Sequence, residues 1–210
     1  MDLMRLALRQ HLHPELEMHP SWLPEPWPAR HRRPARLNAG GQAVLAEWLR
    51  RQLGDDAMLE MDTPLRRIAL LDGASLRRVA AYTGLAAHKP LLQLRGTGRQ
   101  LRRQAERIDT GAADFVVRRM PALSELQLNN APLQERPIAV GRVLMKRGYR
   151  LLLGTVAGEG DALLRRVRLK LPRQACAAPP VLSQRQRDQL QELMLMCIVP
   201  ERLPQWDWLF

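Results

Sequence analysis

All-α is the fold class this sequence predicts: a compact bundle of short helices with a proline-rich N-terminal arm and an aromatic C-terminal tail. Three observations lead there. Apolar residues recur at three- and four-residue spacing through most of the chain, helix-start and helix-stop residues punctuate those runs, and the connections between them are short. At 210 residues the chain reads as one domain, able to bury roughly 70% of its unfolded surface without a metal or disulfide. Within it we distinguish an arm over 14–37, a helical core over 38–172, an Ala/Pro linker over 173–182, and a C-terminal helix with aromatic tail over 183–210.

The elements follow in order. Leu3, Met4, Leu6, Ala7, Leu8 and Leu12 are placed for one face of a helix that Pro14 ends. Pro14, Pro20, Pro24, Pro26, Pro28 and Pro34 then exclude regular helix, which leaves an extended arm carrying Trp22 and Trp27. Such an arm can wrap its own domain or a partner, and because two tryptophans in water are unusual its own domain is the expectation. Asn38 caps a helix with Val44, Leu45, Trp48, Leu49 and Leu53 at helical spacing and Gly54 as its stop, and a further turn is expected around Ala57 to Met61. Thr63 followed by Pro64 starts a helix to about Leu71, where Asp72 and Gly73 turn the chain.

Ser75 begins the next helix, with Leu76, Val79 and Ala80 inward and Gly84 as a left-handed stop. Pro90 opens another, the Gly96–Gly98 stretch punctuates, and a helix covers Arg99 to Ile108. Asp109 or Thr110 caps the one after it, through Val117 to Pro121. From Leu123 to Arg136 the chain is irregular, with Asn129, Asn130, Pro132 and Pro137 forming turns. Ile138, Val140, Val143, Leu144, Leu151 and Leu152 suggest a helix, against which stand Gly141, Gly148 and a strand-like RLLLGTV. Asp161 caps a helix to Leu171, and Ser183 with Gln186 forms a capping-box pattern for one to Val199.

The 33 basic and 21 acidic residues give a net charge of +12, and because only Lys89, Lys146 and Lys170 are lysines, 30 of the cations are arginines. Such a field holds polyanions: nucleic acid, an anionic membrane surface or an acidic protein. The longest apolar run, Leu193 to Val199, is far short of the roughly 20 residues of a membrane span, and there is no signal-peptide pattern. With Cys176 and Cys197 as the only cysteines, the expectation is a cytosolic protein with reduced thiols, touching membranes only peripherally.

In the helix from Arg99, a rotation of about 100° per residue puts Arg99, Arg102, Arg103, Glu106 and Arg107 on one side and Leu101, Ala105 and Ile108 on the other. With Arg95 this makes a basic stripe, suited to phosphates or a carboxylate-rich partner, or else a solvated face. Trp206, Trp208 and Phe210 would share one side of an extended strand, either sealing the core or docking on a partner. SLRRVAAYTGLAAHKPLLQL resembles a helix-turn-helix, so DNA binding is the rival function. Against it, Pro90 falls mid-way in the would-be recognition helix, and Ala86, Ala87, Leu91 and Leu92 occupy base-reading positions.

Other chemistry is sparse. His11, His13 and His19, with Glu15 and Glu17, have ligand side chains but no rigid frame, so no metal is expected. His88 lacks a nucleophile, Asp55 with Asp56 and Glu159 with Asp161 lack an acid–base partner, and Gly96–Gly98 lacks the rest of a phosphate loop. No catalytic residue, cofactor or small-molecule substrate is expected.

IALLDGASLRRVAAYTGLAAH, the arginine-rich GRQLRRQAERIDTGAADFVVRRMP after it and the later LLRRVRLKLP together resemble the SctK/YscK family of type III secretion, over about Thr63 to Pro172. The resemblance implies a helical, non-enzymatic adaptor of the cytoplasmic sorting platform. It would link the cytoplasmic domain of an inner-membrane ring protein to the platform pods, at the cytoplasmic face of the inner membrane. It carries no catalytic residues over to this chain.

Overall fold

The computed structural model describes residues 2–24, 36–53, 60–94, 97–126, 128, 140–176 and 178–210, and among these there are helices and no strand. The α-helices are α1 (Leu3–Leu12), α2 (Ala39–Leu53), α3 (Pro64–Arg67), α4 (Gly73–Ala86), α5 (Lys89–Leu92), α6 (Thr97–Glu106), α7 (Ala112–Arg118), α8 (Val140–Ala157), α9 (Asp161–Leu169), α10 (Gln184–Glu192) and α11 (Val199–Arg202). Trp27, Gly54, Asp55, Asp56, Ala57, Arg95, Gly96, Asn129, Asn130, Pro132, Pro137 and Ile138 lie outside the described residues.

The core is organised by α4 crossing α8, the most extensive helix pair in the fold. Gly84 does not stop its helix as the sequence suggested. It sits inside α4 with ordinary helical backbone, and Gly148 sits inside α8 opposite it. A Cβ on Gly148 would overlap the Ala80 carbonyl and lie 3.1 Å from Gly84 N. Both glycines serve close approach of two backbones, and the positive-φ work is done by Gly111 and Gly160. The choice between helix and strand at RLLLGTV resolves as helix, with Leu151, Leu152, Leu153 and Val156 buried against α4 and its neighbours.

Several starts shift by a residue or two because a different side chain wins the free amides. Asp72 caps α4, accepting from Ser75 N–H at 2.6 Å, so that helix begins at Gly73 and not at Ser75. Gly111, in left-handed conformation, precedes α7, and the carboxylate of Glu106 accepts from Gly111 N–H at 2.8 Å; neither Asp109 nor Thr110 is the cap. Gly160 precedes α9, with Asp161 its first residue. Asn38, Thr63 and the Ser183–Gln186 capping box act as read from the sequence.

In α1 only Leu6, Ala7 and Gln10 are buried, and Met4, Leu8 and Leu12 face outward, so the apolar positions do not all belong to one inward face. The first prolines of the arm initiate 3-10 turns, Pro14–Leu16 and Pro20–Trp22, in place of extended chain, because proline's fixed φ also suits a first helical turn. Trp22 docks on its own domain, donating from Nε1 to Leu171 O at 2.8 Å with Arg173 over its ring. Met18 and Leu23 there meet Leu45 and Leu49 of α2 in a small second cluster beside the main core.

From α10 the helical path continues through a π segment, Leu193–Ile198, into α11, which contains Pro200. Proline does not end the helix at Val199 as expected. The wider π turn before it relieves the ring clash and the missing amide of an α-helical proline. The terminal QWDWLF is a 3-10 helix over Pro204–Leu209, which removes the strand alternation expected of its rings.

Candidate partner interface

The arginine stripe is real and solvated. Arg99, Arg102, Arg103 and Arg107 are exposed on α6 and the turn after it, while Leu101 and Ala105 are completely buried on the opposite side. Arg102 also donates from Nε to Leu92 O at 2.9 Å, tying its stem to the end of α5. Glu106, on the same side, is occupied as the cap of α7, so it does not neutralise the stripe by an ion pair. Gly98 lets α6 pack on α5, since a Cβ there would lie 2.7 Å from Leu91 O. The result is a short rigid rod with cations outward.

Other arginines of the same basic stretch are engaged by partners within the fold. Arg66 bridges Asp62 and Glu159 at 3.0 Å each, and Arg67 donates to Met61 O at 2.9 Å and to Leu209 O at 3.2 Å. Arg78 pairs with Asp109, which also accepts from the Tyr82 hydroxyl at 3.0 Å and faces Arg202 at 3.6 Å. Arg202 lies 4.1 Å above the ring of Phe115, itself edge-on to Tyr82. Burial pushes the Asp109 carboxyl up, but hydrogen bonds from Arg78 and Tyr82 and the charges of Arg78 and Arg202 outweigh it and hold the group below its ordinary value. Nothing in the local sequence marked Asp109 as more than a cap, because its partners come from α4 and α11.

The aromatic tail divides. Trp206 donates from Nε1 to Ser75 Oγ of α4 at 2.9 Å, Leu209 is buried, and Phe210 packs on the core. Trp208 stacks on Trp206 at 6.5 Å between centroids but remains 46% exposed. Of the three rings, only Trp208 is exposed.

The histidines do not assemble. His11 bonds Arg166, His13 bonds Glu15 and His19 bonds Ser21, and among the described residues no group of three His, Cys, Asp or Glu side chains is placed to hold a metal. His88 is completely buried, with Nε2 2.9 Å from an Arg147 nitrogen. A cavity of about 240 Å³ between Trp22, Trp48, Leu53, Arg165 and Arg168 is apolar with a basic rim, and no carboxylate lines it among the described residues. In the helix-turn-helix comparison, Ala86, Leu91 and Leu92 are buried, α5 is only Lys89–Leu92, and Gly84 is not a turn residue. No helix among the described residues is long and apolar enough to cross a membrane.

Cationic helix faces on an all-α framework define a protein whose surface is its most distinctive chemistry. The family described as YOP proteins translocation protein K (YscK) matches residues 7–201, most of the chain, and the protein belongs to that family of type III secretion. No curated protein and no solved structure matches the chain.

Proposed function

We propose that the chain is a non-enzymatic adaptor of the type III secretion sorting platform, linking the cytoplasmic domain of the inner-membrane ring protein to the platform pods. Family membership over residues 7–201 is the observation that carries this reading. The exposed arginines of α6 supply a physical means. Their forks bind carboxylates in pairs, steer an acidic partner on approach and make assembly salt-sensitive. Two surfaces on one rigid body raise the effective concentration of each contact once the other is made. Exposed Trp208 is a further anchor on the same chain.

The test is co-purification with the ring and pod proteins from secreting cells. Wild-type chain should bring both down, and the Arg99→Glu, Arg102→Glu, Arg103→Glu triple variant should lose at least one while keeping its helical content. Pull-down unchanged in the triple variant would reject the stripe as an interface. Recovery of nucleic acid alone, with a sequence-dependent gel shift at physiological salt, would replace the adaptor by the DNA-binding alternative.

A further inference from the structure

The outward side of α1 carries two parallel rows. Met4, Leu8 and Leu12, at i, i+4 and i+8, are 57%, 45% and 48% exposed, and Leu16 of the next turn extends the line. Beside it run Arg5 and Arg9, both exposed. Among the described residues neither arginine forms an ion pair, and the exposed Asp2 carboxylate at the start of the helix is engaged as its cap, accepting from Met4 N–H at 3.3 Å. Leu6, Ala7 and Gln10 anchor the helix on its other side, with Gln10 Nε2 donating to Leu70 O at 2.8 Å, so the rows are held in fixed orientation.

We infer that this face of α1 docks one acidic amphipathic helix of a partner protein: Met4, Leu8 and Leu12 pack into its apolar grooves, and Arg5 and Arg9 meet its carboxylates. A row at i±4n is the ridge that interdigitates in helix–helix packing. The apolar strip is one side chain wide and has no aromatic ring, which suits a helix seam. A helix lying in a lipid interface needs a broad apolar face to sink about 5–10 Å, and here that half of α1 is occupied by its own domain. Charge selects the partner: Arg5 and Arg9 outnumber the capping carboxylate of Asp2 on that side of the helix, so a carboxylate row is attracted and a lysine row repelled.

This surface rests on the adaptor reading for its biological partner but is tested separately from it. The probe is a synthetic amphipathic peptide with a leucine row beside a glutamate row, titrated against the full chain by fluorescence anisotropy. A lysine-for-glutamate peptide and phosphatidylcholine–phosphatidylserine vesicles are the other arms. The acidic peptide should bind and the basic one should not. Leu8→Ser with Leu12→Ser, and separately Arg5→Glu with Arg9→Glu, should each weaken binding by about tenfold or more, and Leu8→Ala alone, a milder change, by several-fold. The α6 triple variant should keep peptide affinity within about twofold. No binding, equal binding of the basic peptide, indifference to the α1 variants, or α1-dependent binding to vesicles alone would overturn the inference. Retained peptide binding with failed co-purification of secretion proteins would sink the adaptor reading and leave this one standing.

Discussion

Gly84 of α4 and Gly148 of α8 face each other where the two helices cross, with room for hydrogen only: a Cβ on Gly148 would lie 3.1 Å from Gly84 N and overlap the Ala80 carbonyl. A methyl at either position meets backbone, which cannot rotate away. The crossing therefore sets the spacing of the two longest buried surfaces in the core.

Gly148→Ala should cost about 3 kcal/mol of stability in urea unfolding, through forced separation of α4 from α8. Gly40→Ala is the control. Its Cβ would meet nothing nearer than Asn38 Oδ1 at 3.8 Å, so the better helix former should stabilise by about 0.5 kcal/mol. Equal effects at the two sites would refute the close-approach account.

Asp109→Asn should destabilise by about 2 kcal/mol, since it leaves Arg78 and Arg202 facing each other with no carboxylate between them. The wild-type carboxyl is held below its ordinary value, so its contribution is complete above the carboxylate range and is lost as pH falls through its depressed value. Thermal melts from neutral pH downward should show a smaller acid-side loss in the variant.

Lys170 is buried, with its ammonium donating to Gln10 Oε1, Ala69 O and Leu71 O at 2.7, 2.6 and 2.9 Å. Burial pushes its pKa down to about 8, opposed by the charges of Glu17 and Asp72. The unfolded chain binds this proton more tightly, so the lysine's own contribution to stability rises as pH goes from about 8 toward the ordinary lysine value. Burial raises the Cys176 thiol and the Tyr82 hydroxyl, and these act in the opposite direction, so the measurement is the difference between wild type and Lys170→Met. That difference should shift in favour of wild type as the solution is made more alkaline; a flat difference would contradict the burial effect.

Trp206→Ala should cost about 3 kcal/mol, losing core contact and the bond to Ser75, whereas Trp208→Ala should change stability by less than about 0.5 kcal/mol. If Trp208 anchors a partner, its variant loses co-purification while melting like wild type. Chemical denaturation and pull-down on the same two variants separate core from surface.

Periodicity and capping chemistry wrote much of this fold into the chain. Thr63–Pro64 and Ser183 with Gln186 mark real helix starts, because a cap acts on amides two or three residues away. The basic side of α6 was equally legible, since Leu101 and Ala105 fix which way the arginines point. Gly84 and Pro200 misled for one reason. Each usually breaks a helix, and whether it does depends on what packs beside it: the backbone of α8 against Gly84, a π turn ahead of Pro200. The outward row of α1 was hidden because six apolar positions on a short helix span more than one face, and only its neighbours decide which are covered.

The sequence by itself determined that the chain is helical, where most helices begin, that its surface is strongly cationic, and the type III secretion family it resembles, because all four depend on residues close along the chain or on composition. Only the tertiary structure decided which arginines stay outward and which are tied to Asp109 or Glu159, that Trp206 seals while Trp208 protrudes, and that Lys170 is buried. Those outcomes turn on contacts between residues far apart in sequence, which no local pattern along the chain can specify.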